Sequence, residues 1–236
     1  MRAEKRGSGS NTRDLTFEAR HDGDDVVICS VWRGDSACDD GRRHDRNWDD
    51  DGNSTSARIT VTLPRGARLD ANTGNGAVSI TGSGGDVRVN TGNGDLTVDG
   101  NTGSVHANTG NGGVPVSDAH GAVHANTGNG RVHVTTSSGP VTVNTGHGDI
   151  DVRLGAISKD ADMEFHSGSG HIVVTVPATV DADFDASTGN GSVTSDFDVR
   201  VRGSLNSHHI RGTIGHGGAS IRMTTGNGSV ELRKGA

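Results

Sequence analysis

The chain has 236 residues, 38 of them glycine, with no tyrosine and 3% aromatics, so Val, Ile, Leu and Ala must build any core. A formal charge of -7 argues against a phosphate-backbone partner, which needs clustered Lys and Arg. No apolar run is long enough to span a membrane.

In chain order, the opening Met1 to Arg6 is charged and lacks the apolar stretch of a signal peptide. Alternating apolar residues predict strands at 15–19, 26–32, 57–63 and 67–71. Cys29 and Cys38 are the two cysteines of the chain. An even pair fits one disulfide in an oxidising compartment, and two separate buried thiols fit equally well. Residues 33–56 are charged and aperiodic, a loop leaving the strands.

From residue 72 the chain repeats. Asn-Thr-Gly-Asn-Gly begins at Asn72, Asn90, Asn108 and Asn126, and as NTGHG at Asn144, each 18 residues on. Each unit holds two nonapeptides with apolar residues at alternating positions, among them Val78 and Ile80, Val87 and Val89, Leu96 and Val98, and so on to Ile150 and Val152. Period two with β-branching places these on one strand face. Residue-level identity every 18 positions favours coils stacked one above the next over a meander. The fold expected is all-β: a single-stranded parallel β-helix, or β-solenoid, of about 18 residues per coil with two short strands per coil. Residues 1–71 are expected to add N-terminal strands and the acidic loop to the same solenoid, 72–154 to form the regular coils, and 155–236 the irregular coils and a cap.

On this reading NTGNG is a corner. Both glycines, as in Gly74 and Gly76, supply positive φ, and the Asn column at 72, 90, 108, 126 and 144 forms a side-chain amide ladder. The Thr column beside it lies at the same narrow edge. After 154 the period breaks at LGAISKDADMEF, resumes, and breaks again over 199–220, an interruption that marks a loop or an end cap.

The repeated T-x-N-G-x-V-x-V units, SDFDVRVRG (195–203), RGTIGHGG (211–218) and TTGNGSVELRK (224–234) resemble a bacterial adhesin-like family defined as a domain of unknown function. The N-terminal VVICSVW and Cys38 resemble members in which two cysteines flank an acidic loop, which implies a structural Cys29–Cys38 disulfide. The resemblance implies a right-handed-type β-helix in the cell envelope or outside the cell, with no established catalytic residues. It also implies an export signal ahead of the equivalent of Arg2, so the chain start reads as truncated.

Candidate chemistry is sparse. A calcium nonapeptide would need Asp where Val78, Val87, Leu96 and Val105 stand. Asp49 to Asp51 lack the alternating spacing of a calcium loop. His106 and His124 are 18 apart and stack on one outer face beside Arg88 and Thr142, a weak two-ligand surface site. His208, His209 and His216 form a second cluster in the last interruption. No G-x-S-x-G element occurs, and the outward rows Ser79, Thr97, Pro115, His133, Asp151 and Arg88, His106, His124, Thr142 pair no two acids. The expectation is a noncatalytic, adhesin-like module without cofactor or metal, meeting an envelope protein or glycan and no nucleic acid, as a monomer or by end-to-end self-association. The alternative is a polysaccharide lyase or hydrolase, or an accessory carbohydrate-binding protein.

Overall fold

The computed structural model describes residues 2–7, 15–22, 25–32, 55–201 and 206–235. The chain forms two units, Met1–Leu63 and Pro64–Ala236.

In the first unit, β1 (Arg2–Gly7) pairs antiparallel with β4 (Thr55–Thr60), and β2 (Leu15–Asp22) pairs antiparallel with β3 (Asp25–Trp32). The expected N-terminal strands are present, here as two-stranded antiparallel ribbons. This segment lacks the paired glycine corners of the repeat that begins at Asn72. β1 carries no apolar alternation and is legible only through its partner β4. Cys29, in β3 opposite Glu18, is disulfide-bonded. Cys38 and most of the acidic loop lie outside the described residues.

The second unit is a parallel solenoid. Its first five coils run β5 (Leu69–Asn75) and β6 (Val78–Thr81); β7 (Val87–Asn93) and β8 (Leu96–Asp99); β9 (Val105–Asn111) and β10 (Val114–Ala119); β11 (Val123–Asn129) and β12 (Val132–Thr136); β13 (Val141–His147) and β14 (Ile150–Leu154). Then follow β15 (Asp162–Ser169) with β16 (Ile172–Val176), β17 (Ala182–Asn190) with β18 (Val193–Ser195), β19 (Val199–Val201), β20 (His209–Ile214), and β21 (Ala219–Asn227) with β22 (Val230–Lys234). The odd-numbered strands from β5 to β21, joined by β20, make a ten-stranded sheet; the even strands from β6 to β18, with β22, make an eight-stranded one.

Alternation dictates the interior. From β7 on, the expected inward residues of the regular coils are buried, while Val78 in the first coil is partly covered and packs against the core. In the later coils the interior takes larger groups: Val141 stacks on Met163, then Ile221, then Phe184, beside Val143, Phe165, Met223 and Ala186. These larger groups fill the column in the later coils, with small Ala186 beside Phe184 at the β17 level. The step from Val141 to Met163 is 22 residues, and the extra length is taken up by 155–161, outside the strands.

Three features differ from the periodicity. First, the Asn-Thr-Gly-Asn part of each motif is strand: Asn126 and Thr127 of β11 pair in register with Asn108 and Thr109 of β9, and the chain bends around the two glycines. The Asn72 column therefore stands on the outer face of the ten-stranded sheet, ahead of the bend. Second, both glycine columns approach the backbone of the neighbouring coil too closely for a Cβ, and one of them also takes positive φ. Gly130 sits at φ +156°, a conformation that suits glycine. Gly128 has no positive φ, but a Cβ there would come within 2.5 Å of the Gly110 carbonyl oxygen of the neighbouring coil. Third, coils do not stack in chain order. The C-terminal coil, β21 and β22, lies between the β15/β16 coil and the β17/β18 coil, parallel to both.

β20 then runs antiparallel along the other side of β17, and β19 along β20. Because β20 and β21 flank β17, residues 215–218 cross over its start. This strap is held where the His216 N–H donates to Asp181 Oδ1 at 2.8 Å and where Arg200 donates to the Gly215 carbonyl. The RGTIGHGG motif is thus a crossover. Gly215 takes φ +59° and Gly217 +79°.

Candidate interaction face

The outer face of the ten-stranded sheet carries in-register columns. One reads Asp70, Arg88, His106, His124, Thr142, Glu164, Arg222, Asp185 and Arg211 from β5 to β20. The next reads Asn72, Asn90, Asn108, Asn126, Asn144 and His166. Across β9, β11 and β13 the face shows His106 with Asn108, His124 with Asn126 and Thr142 with Asn144. Ser104, Ala122 and Pro140 precede them. This stretch holds no carboxylate, ammonium or guanidinium, on a chain whose formal charge is -7. Asp86 and Arg88 bound it on one side, Asp162 and Glu164 on the other.

The amides hold the face in place. Asn90 donates to Asn72 Oδ1 at 2.7 Å, Asn108 to Asn90 at 2.9 Å, Asn126 to Asn108 at 2.8 Å and Asn144 to Asn126 at 2.9 Å. Asn72 starts the ladder by donating to Asp70 at 2.8 Å. A second ladder, at the bend, links Asn75, Asn93, Asn111 and Asn129 at 2.7 to 2.8 Å. That ladder follows from the same 18-residue spacing, since Asn is the fourth residue of each of the four NTGNG motifs. Each such bond is worth about 1 kcal/mol net, so Asn126→Ala, losing one donated and one accepted bond, is expected to cost about 1–2 kcal/mol. Urea unfolding with an unchanged slope checks it.

The Thr column is inside. Thr91, Thr109, Thr127 and Thr145 are buried, and each hydroxyl donates to a glycine carbonyl of the preceding coil, as Thr127 does to Gly112 at 2.9 Å. They share the parity of the core valines (Val123, Ala125, Thr127), a signal present in the sequence. A hydroxyl row at the corner edge is therefore not on offer to a ligand.

His106 and His124 stack with ring centroids 4.8 Å apart and planes within 11°. Parallel rings direct their nitrogen lone pairs side by side and do not converge on one ion. Burial first, then the neighbouring His124 and Arg88, hold the His106 imidazole below its ordinary pKa, with Asp86 opposing. Of the C-terminal histidines, His209 Nε2 lies 3.0 Å from Asp185 Oδ1, and His216 Nδ1 lies 3.4 Å from Asp181. His208 is exposed, and its backbone N–H donates to Asn206 at 2.6 Å. The sequence missed these carboxylates. Asp181, Asp183 and Asp185 share one face about β17, and Asp183 accepts from Thr213 at 3.0 Å, so the row fastens the strap and β20. Among the described residues, no group of three or more His, Cys, Asp or Glu is placed to hold a metal.

The pattern of repeats, corners and cap now bears comparison with known domains. A family model described as Toastrack DUF4097 matches residues 42–233. The chain belongs to this family. No curated protein and no solved structure matches it. The Toastrack match spans every coil from β5 to β22 and the cap strands, so the inserted C-terminal coil lies within the family's own region. The family is a domain of unknown function, and no helix of the described residues is long and apolar enough to cross a membrane.

Electrostatic linkage in the Toastrack unit has one sign. Asp149 is held below its ordinary value by the His171 N–H and then by Arg131, 2.9 Å away. Asp86 is held down by the Ser104 hydroxyl and N–H, and Asp181 by the His216 N–H. Each folded value lies below the unfolded one. Their contribution is therefore present above the ordinary carboxylate range, about pH 4, and is lost as pH falls through the lowered values. Stability is expected to decline below about pH 4, and Asp149→Asn to flatten part of that decline in thermal melts taken across pH.

Proposed function

We propose that this domain is a noncatalytic, adhesin-like structural and interaction module of the bacterial cell envelope or surface. The observation that carries this reading is the uncharged track across β9, β11 and β13, which two amide ladders and a filled core fix in place. Preorganised side chains lose little freedom on binding, which favours a recognition surface. The partner is an envelope protein or glycan laid along successive coils. The test is a panel of envelope proteins and surface glycans probed with the purified protein, with Ala122→Glu placing a charge in the middle of the track. Binding that the substitution abolishes supports the reading; equal binding by the variant refutes it.

The polysaccharide-active alternative draws on a specific observation, the gathering of Asp181, Asp183 and Asp185 with His209, Arg211 and His216 beside the last interruption. Those carboxylates are engaged in holding the strap and β20, which favours a structural role. Release of reducing ends from a polysaccharide panel, abolished by Asp185→Asn, would reverse that preference.

A further inference from the structure

The column that borders the Asn ladder runs Arg88, His106, His124 on three successive strands, β7, β9 and β11. The histidines are half-buried and their rings are stacked. Imidazole is the side chain that changes charge between about pH 5 and pH 8. With both rings neutral, the row carries one cation at its edge. With both protonated, three like charges stand roughly a strand spacing apart, about 4.8 Å, in a line along the stack. Such a line repels itself, and a bound anion lying along it relieves the repulsion.

We propose that Arg88, His106 and His124 form an acid-gated track for a linear polymer of carboxylates, an acidic polysaccharide of uronic acid type. The inference rests on the interaction-module reading and names the partner of that same face. The charged groups around the row fit this choice: Arg68 sits beside Asp86, so that pair offsets itself, and Asp162 stands with Glu164 at the far side. Asp86 and Asp70 lie on the Arg88 side and Thr142, uncharged, follows His124, with Glu164 one strand beyond. Those flanking acids limit the cationic segment to three groups. A single narrow row suits one carboxylate per sugar, and the acids at either end disfavour a densely charged phosphate chain. Adjacent Asn90, Asn108 and Asn126 supply amides for the sugar hydroxyls.

Binding must then take up protons, because the anion favours the charged rings. That His106 resists protonation in the free protein, through burial and its cationic neighbours, is consistent with a proton that the ligand must recruit.

The test is calorimetric titration of the whole protein with polygalacturonate at about pH 5.5 and about pH 7.5, in two buffers of different ionisation enthalpy. The expected result is at least about tenfold tighter binding at the acid value, with net uptake of about one proton or more. The double variant His106→Asn with His124→Asn should lose the pH dependence. Arg88→Gln, on an exposed position, should weaken acid binding without abolishing proton uptake. Affinity independent of pH, no proton uptake, or an unchanged pH dependence in the double variant would overturn the proposal. So would absence of polygalacturonate binding at both pH values. If neutral glycans or proteins bind the track at every pH, the interaction-module reading stands and the acid gate alone fails.

Discussion

Gly128→Ala is expected to destabilise the protein severely, and Gly74→Ala, at the same motif position, not at all. The added methyl at 128 would meet the Gly110 carbonyl oxygen of the adjoining coil at 2.5 Å, and the same distance recurs at Gly92, Gly110 and Gly146. The obstacle is backbone, so relief requires two paired coils to part. Forcing an added methyl against fixed backbone costs about 1–3 kcal/mol or more, and here paired hydrogen bonds stretch as well. At Gly74 nothing lies within 4 Å of the added atom and φ is not positive. Alanine there restricts the unfolded chain and is expected to be neutral or stabilising by about 0.4–1 kcal/mol. Thermal melts of the two variants decide it. Equal losses would mean that glycine serves backbone freedom in this column, and the close-approach account would fall.

Ending the chain after Gly218 is expected to unfold the region 162–214 while leaving the coils of 69–154 folded. The missing coil sits between two others, and it buries Ile221, Met223, Val230 and Leu232. Each such side chain contributes about 1.5–3 kcal/mol, so their sum is comparable to the whole stability of an ordinary domain. Phe165 and Phe184 would lose the layer that separates them. Hydrogen exchange should then show lost protection in β15 to β20 with protection kept in β7 to β14. Protection retained in β17 would show that its coil docks directly on β15.

These two cases mark how far the residues spoke in advance. The valines at alternating positions announced the interior, because period two within a strand and period eighteen between coils agree on the same atoms. The stacking of His106 on His124 and of Asn108 on Asn126 followed from that spacing. Taking NTGNG as a corner puts Thr127 at an edge, whereas it keeps the inward parity of Val123 and Ala125 and is buried. The order of coils was not legible: every coil carries the same pattern of inward apolar groups and glycines, so the pattern states which segments wind without stating which neighbour each meets. The contacts of Asp181 with the strap and of Asp185 with His209 depend on that hidden order, joining residues 35 and 24 positions apart. In Met1–Leu63 no repeat is present, so strands are legible there but their antiparallel pairing is not.

The extra length at 155–161 has a practical consequence. A coil four residues longer than its predecessor keeps every pair from Val141↔Met163 to His147↔Ser169 in step, since the surplus leaves the stack between strands. Within 155–161, Ile157 packs against the core and Ala161 is buried, so the exposed turn of Ser158, Lys159 and Asp160 is the natural graft point. A foreign epitope or an affinity tag spliced there would be displayed at the rim while the pairing of β13 with β15 goes on undisturbed.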